Sequence, residues 1–330
     1  VVLQFFRPDY IEQVLTPPGI MGTTCEIHIY AAEENPNAYT HGPAAAEKAL
    51  RQTEVLMSSS MRLSALSAMN GAPAGEPIGC PAPLMTVLRA AHTAHAETDG
   101  TFDVTIAPLI DLWKFSGRTD TLPDEAQLLA ARQASSWADF QLGSDTLTKT
   151  RATATLDLGG IAKGYGIDQA IDALIQAGGD AGWVDVGGDL RFFGQNPKGP
   201  DWTIDVQDPF KEKGHILGTL HIAEGAVCTS GDYARYVTID GERFSHIIDP
   251  RTGWPSRVSP SVTVVAPTAM QADVWATALS VLGPDGLAKL PEGVHAMIVI
   301  GESGDLESFM TDGFADLFVP VGTTTEAPAE

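Results

Sequence analysis

The sequence predicts an α+β fold in which mainly antiparallel sheets are covered by packed helices. Five strand candidates follow one another between residues 182 and 265, whereas the helical patterns lie mostly before and after this run. A doubly wound parallel fold would instead alternate strands with helices along the chain. The 330 residues are 44% hydrophobic, which is enough for one large domain or for two intimately packed subdomains.

The first half of the chain is mainly helical in pattern. Alternating apolar residues predict a strand over Thr23–Ala31, and a short strand over Leu156–Gly160 leads into a glycine-rich turn. Prolines at helix starts and glycines after helix ends help to bound the helical segments. These helices are predicted over Pro43–Met57, Pro81–Glu97, Pro123–Ala134 and Gly164–Ala177.

The second half carries the run of strands. They are predicted over Gly182–Val186, Trp202–Val206, Leu217–Ile222, Tyr236–Ile239 and Val262–Val265, with a final strand over Ala296–Ile300. Between the last two lies a helix, Ala269–Leu282, which begins with a capping box at Thr268 and Gln271. We predict an N-terminal tail over residues 1–20, one domain over 21–320 and a disordered tail over 321–330.

The charge of the chain limits its partners. There are 42 acidic and 20 basic residues, which gives a formal net charge of −22. Such a field repels nucleic acids and anionic lipids. It also repels an anionic small ligand, so binding one requires a metal ion or a local cluster of basic side chains and backbone amides.

Cysteine usage and hydropathy exclude other classes. The cysteines Cys25, Cys80 and Cys228 are odd in number and form no C-x-x-C pair, which indicates small core residues rather than a zinc site or a disulfide scaffold. No apolar stretch reaches the roughly 18 residues that a membrane span needs. The chain begins with Val1 rather than Met, which is consistent with the loss of an N-terminal segment such as an export signal.

The helix Ala269–Leu282 places two hard oxygen ligands on one face. Asp273 and Thr277 stand four residues apart, and a carboxylate with a hydroxyl suits Mg²⁺. The alternative is a solvated aspartate beside a threonine that hydrogen-bonds to its own helix. Both interpretations remain open from the residues alone.

A glycine-rich segment, LDLGGIAKGYGID over residues 156–168, places Lys163 between a strand and a helix. Backbone amides and an ammonium in this layout can meet phosphate oxygens. The segment is neither a Walker A loop nor a G-x-G-x-x-G fingerprint. A purely structural turn is the alternative.

Two further segments carry polar residues next to turns. His246 follows a strand and precedes Asp249, and a histidine beside a phosphate can remove a proton from an attacking hydroxyl, although a structural turn histidine is the alternative. Phe102 and Asp103 follow a turn, where the carboxylate can accept hydrogen bonds from an adenine or flavin ring or cap the next helix. His92 and His95 lack a third metal ligand and are interpreted as surface residues.

Taken in order, these segments resemble one family. The motifs are MGT at 21–23, SALSAMN at 64–70, DGTFDVTIAPLIDLW at 99–113, LDLGGIAKGYGID at 156–168, VGGDL at 186–190, TSGDY at 229–233, SHIIDPRTG at 245–253 and ADVWATAL at 272–279. Their ordered occurrence is similar to that in the ApbE family of FAD:protein FMN transferases. The resemblance covers roughly Met21 to Ile300.

The resemblance implies a T-fold-like architecture and a magnesium-dependent transfer of FMN from FAD to a Thr or Ser hydroxyl of a target flavoprotein, with release of AMP. It implies Mg²⁺ bound by Asp273, Thr277 and the carbonyl of Gly160, and His246 as the general base. The implied contacts of FAD are Met21, Thr101, Phe102, Asp103, Asp157, Lys163, Ser230 and Ile247. Family members usually act outside the cytoplasm, so we expect a periplasmic or cell-envelope location and otherwise a cytoplasmic one.

One segment departs from the family. Where many transferases carry an aromatic residue before SALSAMN, this chain has SSSMR at residues 58–62. Some relatives without that aromatic group hydrolyse FAD to FMN and AMP. An FAD pyrophosphatase is therefore one alternative function, and a non-catalytic FAD-binding carrier is another.

Overall fold

The computed structural model describes residues 10–212, 214–231, 236–258, 260–302 and 305–322. The strands in these ranges are β1 (Tyr10–Leu15), β2 (Cys25–Ala32), β3 (Pro77–Gly79), β4 (Phe140–Leu142), β5 (Thr146–Lys149), β6 (Ala181–Val186), β7 (Asp189–Phe193), β8 (Trp202–Gln207), β9 (Ile216–Ile222), β10 (Gly225–Gly231), β11 (Tyr236–Ile239), β12 (Glu242–Ser245), β13 (Ser261–Ala266), β14 (His295–Glu302), β15 (Asp305–Met310) and β16 (Phe318–Pro320). The helices are α1 (Pro36–Met57), α2 (Ala65–Asn70), α3 (Ala82–Glu97), α4 (Ala107–Thr119), α5 (Glu125–Ala134), α6 (Ala162–Gln176), α7 (Ala269–Leu282) and α8 (Asp312–Ala315).

An eight-stranded sheet within the described residues organises the molecule, in the order β1-β2-β6-β7-β10-β13-β14-β15. Every pairing in it is antiparallel. Smaller sheets are β16-β9-β8, β3-β5-β4 and the hairpin β11-β12. Antiparallel sheets with packed helices confirm the predicted α+β class.

Helices α1, α6 and α7 cover one face of the main sheet. Strand alternation supplies their core, since Ile27 and Ile29 of β2 and Val262 and Val264 of β13 point into it. The opposite face packs against β8, β9, β16 and α8 through a second cluster that includes Phe314. Because β13 is covered on both faces, all six of its residues are buried.

A third, smaller core forms between α4, α5 and the hairpin β11-β12. Leu109 and Trp113 of α4 pack with Phe244 of β12 and with Ile248. The Trp113 indole donates to the Gly253 carbonyl at 2.8 Å. The loop after β12 is thereby fixed on α4.

Several element boundaries differ from the sequence predictions. Helix α1 begins at Pro36, seven residues before the predicted start, and contains Pro43. Pro123 precedes the N-cap Asp124 of α5 rather than opening that helix. No strand forms over residues 156–160, because the backbone of Leu156 hydrogen-bonds to the Asn70 side chain instead of to a neighbouring strand.

The segment predicted as an N-terminal tail contains a strand. Within the segment predicted as an N-terminal tail, Tyr10–Leu15 is β1, the edge strand that pairs with β2. Ala296–Ile300 is not the last strand, since β15 and β16 follow β14. Most of the predicted C-terminal tail lies outside the described residues. The single-domain boundaries stay a prediction.

The cysteine and membrane predictions can be compared with the structure. Cys25, Cys80 and Cys228 are free and buried, which confirms that they are core residues. Burial raises the pKa of Cys25 to about 12 and that of Cys80 to about 11, so these thiols are protonated at neutral pH. Among the described helices, none has the length and apolar character to cross a bilayer.

Candidate active site

Two helices begin side by side at the predicted phosphate-facing end of the molecule. A methyl group at Gly164, in the first turn of α6, would lie 2.2 Å from the Ala269 carbonyl oxygen at the start of α7. The close approach of the two first turns therefore requires glycine at 164. The positive ends of both helix dipoles converge here, which favours negative charge at this end of the fold.

Each helix supplies a carboxylate to the other. The Gly164 N–H donates to Oδ2 of Asp273 on α7 at 3.1 Å. In return, Asp168 on α6 accepts from the N–H groups of Ala269 at 2.8 Å and Met270 at 3.0 Å. Burial raises the pKa of Asp168, although these hydrogen bonds and Arg191 act in the opposite direction. This reciprocal capping fixes the geometry between α6 and α7.

Asp273 is not the solvated aspartate of the alternative interpretation. Its exposed fraction is 4%, and it lies on a helix whose other buried residues are almost all apolar. Buried carboxylates are normally paired or bound to metals. No described residue donates a hydrogen bond to its second oxygen, Oδ1.

Gly160 and Thr277, the two other predicted metal ligands, lie next to each other, and each has an oxygen that accepts no hydrogen bond from the described backbone. A methyl group at Gly160 would be 3.1 Å from the Thr277 hydroxyl oxygen, so the Gly160 backbone lies against α7. The Thr53 and Ser280 hydroxyls donate to the carbonyl four residues earlier, whereas the Thr277 hydroxyl makes no hydrogen bond to any described residue. The Gly160 carbonyl likewise accepts none from the described backbone.

These three oxygens fit a hard divalent cation. A carboxylate, a hydroxyl and a backbone carbonyl are the ligand types that Mg²⁺ takes from proteins, which leaves its other positions to water or phosphate. No group of three or more His, Cys, Asp or Glu residues suited to a metal occurs among the described residues. All three donors are oxygens, the ligand type that suits Mg²⁺.

Lys163 lies in the first turn of α6, close to this group. Its ammonium forms an ion pair with Asp189 of β7, which is almost fully buried and also accepts from the Thr229 N–H at 3.1 Å. The neighbouring Ser230 belongs to β10. Lys163 is thus held at the sheet end, and its contact with FAD stays a prediction, as does that of Ser230.

Two carboxylates predicted to contact FAD lie on neighbouring segments. The Asp157 N–H donates to the Val104 carbonyl at 2.8 Å, which ties Asp157 to the segment after Asp103. The Asp157 carboxylate accepts from Ser59 Oγ at 2.8 Å and from the Gly159 N–H at 2.8 Å. Ser59 belongs to the segment that lacks the aromatic residue, so that departure lies at the same site.

Asp103 fills one of the two roles that the sequence left open, the cap of the next element, and its contact with FAD stays a prediction. Its Oδ1 accepts from the Thr105 N–H at 2.7 Å and so caps a short 3₁₀ turn. Its Oδ2 lies 3.5 Å from His95 Nδ1. Burial raises the pKa of Asp103, although the bond from Thr105 and the charge of His95 oppose this. A desolvated carboxyl is suited to a specific polar ligand group.

Three more of the predicted FAD contacts, Phe102, Thr101 and Met21, lie in the described part of the chain. Phe102 is buried with its ring near Gly160, 3.2 Å from a methyl placed there. The Thr101 hydroxyl is buried and donates to the Thr98 carbonyl at 2.8 Å. Met21 has a positive φ of 47°, and its side chain lies against Gly166 of α6. All three FAD contacts stay predictions.

His246 is exposed on the loop that follows β12. The next residue, Ile247, is buried, and its carbonyl accepts from the Ser256 N–H at 2.8 Å. Both carboxylate oxygens of Asp249 are bound by Arg251, at 2.9 and 3.0 Å. The Asp249 carboxylate is thereby held in an ion pair, and the roles of His246 and Ile247 stay predictions.

A separate cleft of about 910 Å³ opens on the other face of the main sheet. Trp183, Tyr30 and Trp202 contribute to its walls, and the predicted site residues in the described ranges do not line it. It meets the predicted site only through Gly187, Gly188 and neighbours of Ser230. The helix ends and the oxygen donors described above therefore lie outside this cleft.

An α+β fold whose two central helices begin beside a group of hard oxygen donors defines a class of protein suited to a phosphorylated ligand. The ApbE family model matches residues 21–298 of this chain. The chain therefore belongs to the ApbE family.

Individual relatives agree with this assignment. A Vibrio cholerae protein named FAD:protein FMN transferase is 33% identical over an alignment of 308 residues that covers 89% of each chain. The flavin transferase ApbE from Vibrio cholerae superposes with a TM-score of 0.84 at 29% identity, covering 93% of this chain and 99% of that one. The apo form of Pseudomonas stutzeri flavinyl transferase ApbE gives 0.81 at 30% identity, covering 94% and 97%.

Sequence reasoning missed the residues that support the predicted ones. Asp189 pairs with Lys163, Asp168 caps α7, and Ser59 binds Asp157. Asp168 stands at the end of the motif LDLGGIAKGYGID and Asp189 inside VGGDL, so an acidic residue in a glycine-rich motif was the available signal.

Proposed function

We propose that this protein is an FAD:protein FMN transferase, which attaches FMN through a phosphoester to a Thr or Ser hydroxyl of a target flavoprotein and releases AMP. Membership of the ApbE family and the names of its relatives support the activity. The observation that carries the proposal is the group of three free oxygens, from Gly160, Asp273 and Thr277, beside two helix N-termini.

Gly160, Asp273 and Thr277 would hold Mg²⁺, which when bound supplies positive charge to the pyrophosphate oxygens. The residues of the chain do the rest of the positioning. The positive ends of the α6 and α7 dipoles lie at this end of the fold, and Lys163 adds a charge next to them. Asp103 and Asp157 bind polar groups of the flavin or adenine.

The transfer balances as a displacement at the phosphorus of the FMN half. The acceptor oxygen forms a bond to this phosphorus, and the bond from phosphorus to the bridging oxygen breaks, so AMP leaves with that oxygen. His246 takes the proton of the acceptor hydroxyl as the new bond forms. The proton passes from the imidazolium to solvent or to the AMP phosphate.

An FAD pyrophosphatase is the second candidate, and one observation favours it. Ser59 stands in the segment without the aromatic residue and donates to Asp157, so small hydroxyl side chains border the predicted FAD site. Water can enter where a ring would otherwise stack. In that case the same groups act, with water as the acceptor, and the products are FMN and AMP.

The target flavoprotein and the location of the protein are also part of the proposal. The family's usual action outside the cytoplasm supports a periplasmic or cell-envelope location. Fractionation of cells that express the full-length protein tests it, and recovery from the cytoplasm alone would contradict it.

The first prediction tests the cation site. Purified protein with FAD and Mg²⁺ should release AMP, and Asp273→Ala should lower the rate by about 100-fold or more, because a bound cation supplies several kcal/mol to such a step. AMP release is followed by chromatography over a titration of Mg²⁺. Asp285→Ala, which removes an exposed carboxylate just after α7, is the matched control. Equal rates for Asp273→Ala and Asp285→Ala would refute the site.

A further inference from the structure

Lys149, at the end of β5, has a completely buried side chain. Its ammonium donates to three backbone carbonyls, those of Asn70 at 2.6 Å, Ala152 at 2.9 Å and Ala154 at 3.1 Å. Burial lowers the pKa of this ammonium. Since an apolar side chain of similar size would fill the same space at less cost, the reason for the lysine lies in the carbonyls that it binds.

The three carbonyls belong to two different segments. Asn70 is the last residue of α2, so its carbonyl lacks a donor within the helix, and a cation at this end also complements the helix dipole. Ala152 and Ala154 precede the extended segment that leads to Asp157. The ammonium therefore joins the end of α2 to the chain that enters the predicted FAD site.

The side chain of Asn70 continues this connection. Its amide Nδ2 donates to the Leu156 carbonyl at 2.8 Å, and its Oδ1 accepts from the Leu156 N–H at 2.9 Å. An amide that binds both backbone groups of one residue replaces a strand partner. The next residue is Asp157, whose N–H reaches the Val104 carbonyl, one residue after Asp103.

We propose that Lys149 is a positioning residue for FAD binding. It fixes the end of α2, and through Asn70 and Leu156 it holds the Asp157 carboxylate in the orientation that FAD requires. Lys149 touches neither FAD nor the reacting atoms. The inference rests on the proposed function, because the contact between Asp157 and FAD is part of that proposal.

A double-mutant cycle tests this relay. Lys149→Met removes the ammonium and keeps a long side chain, and we expect a rise of about tenfold in KM for FAD with kcat within about threefold of the wild-type value. Asp157→Ala should raise KM as well. If Lys149 acts through Asp157, the double variant has the KM of Asp157→Ala, whereas independent effects would multiply.

Arg89→Met is the matched control. Arg89 also donates to backbone carbonyls, those of Gly143 and Ser144, in the loop between β4 and β5. Its removal takes away the same kind of contact without touching the path to Asp157. We expect its KM for FAD to stay within about twofold of the wild-type value, on the scale of an ordinary surface substitution.

Three results would overturn the inference, namely an unchanged KM in folded Lys149→Met, multiplying effects in the double variant, or an equal loss in Arg89→Met. If circular dichroism shows that Lys149→Met does not fold, Asn70→Ala replaces it in the cycle. That change keeps the Asn70 carbonyl for Lys149 and removes only the contacts with Leu156. If the wild type does not cleave FAD, the proposed function fails, and FAD dissociation constants from flavin fluorescence decide the relay on the same variants.

Discussion

His246 is the residue on which the chemical step of the proposed transfer depends. It is exposed on the loop after β12, where an acceptor can approach it, and the loop is fixed by the Ile247 carbonyl and by Trp113. A general base acts on the proton of the acceptor rather than on the flavin. Its removal should therefore affect turnover more than FAD affinity.

His246→Asn should lower kcat by about 100-fold or more and leave the FAD dissociation constant within a few-fold. The rising limb of the pH-rate profile should flatten, because Asn has no proton to exchange near neutrality. Initial rates from pH 5 to 9 and flavin fluorescence titrations provide both readouts. His215→Asn, on an exposed loop between β8 and β9, is the control. Loss of FAD binding with retained turnover would make His246 a binding residue.

We expect Asp103 to lower the stability of the fold at neutral pH and to contribute to FAD binding. Its pKa is raised by burial above the ordinary 3.8, so the folded state holds the proton more tightly than the unfolded chain. Below pH 3.8, Asp103 is protonated in both the folded and the unfolded chain. As the pH rises, Asp103 of the unfolded chain ionises first, so the free energy of unfolding falls until the pKa of the folded state is passed. The buried carboxyl therefore destabilises the fold at neutral pH.

Asp103→Asn should be as stable as the wild type at pH 3.5 and more stable at pH 7, since the amide oxygen can still accept from Thr105. FAD affinity should fall by roughly 10- to 100-fold, the scale of a lost charged hydrogen bond. Urea unfolding at the two pH values and FAD titration measure these effects. Asp111→Asn, at an exposed position of α4, is the control. A variant less stable than the wild type at pH 7 would contradict this account.

At the scale of elements, the contact between the first turns of α6 and α7 sets the site. Alanine usually stabilises a helix relative to glycine. At Gly164, however, the added methyl would meet backbone atoms, 2.2 Å from the Ala269 carbonyl oxygen and 2.6 Å from Met270 Cα. Backbone cannot move aside as a flexible side chain can.

Gly164→Ala should lower the free energy of unfolding by about 2 kcal/mol or more, as overpacking does in tight cores. Gly166→Ala in the same helix is the matched control, because its methyl would meet the flexible end of Met21, at 2.8 Å. Urea denaturation compares the two variants. Equal stability for both would show that α6 and α7 can separate without loss.

The sequence predicted elements with a regular pattern and missed those without one. Helix α7 has the predicted bounds because its cap residues and stop glycine are explicit. Strand β10, with the sequence GAVCTSG, alternates weakly and was not predicted. The apolar pattern around Leu156 predicted a strand, whereas the Asn70 side chain, 86 residues earlier, takes its hydrogen bonds.

The predicted site residues were found through motifs, but their partners depend on the tertiary fold. Asp189 lies 26 residues from Lys163, and Gly164 lies 109 residues from Asp273. Spacing in the sequence contains no information on which carboxylate meets which donor. Such contacts follow from the order of strands in the sheet and from the packing of α6 on α7.

At the scale of the whole molecule, a chain with a net charge of −22 must bind an anionic dinucleotide. The proposed solution is local, since two helix N-termini, Lys163 and a bound cation concentrate positive charge at one end of the main sheet. The chain as a whole remains acidic. In this proposal FAD binds at that end of the sheet, and the acceptor is whichever hydroxyl comes next to His246.

The ratio of flavin attached to an acceptor protein to AMP released tests the central claim most directly. The wild type is incubated with FAD, Mg²⁺ and a flavoprotein that carries an acceptor Thr, and with a Thr→Val form of that flavoprotein as control. Mass spectrometry counts the attached FMN, and chromatography counts the AMP. We expect a ratio close to one, with no attachment to the Val form. AMP without attached flavin would identify a pyrophosphatase, and bound FAD without AMP would identify a carrier; either result would contradict the transferase.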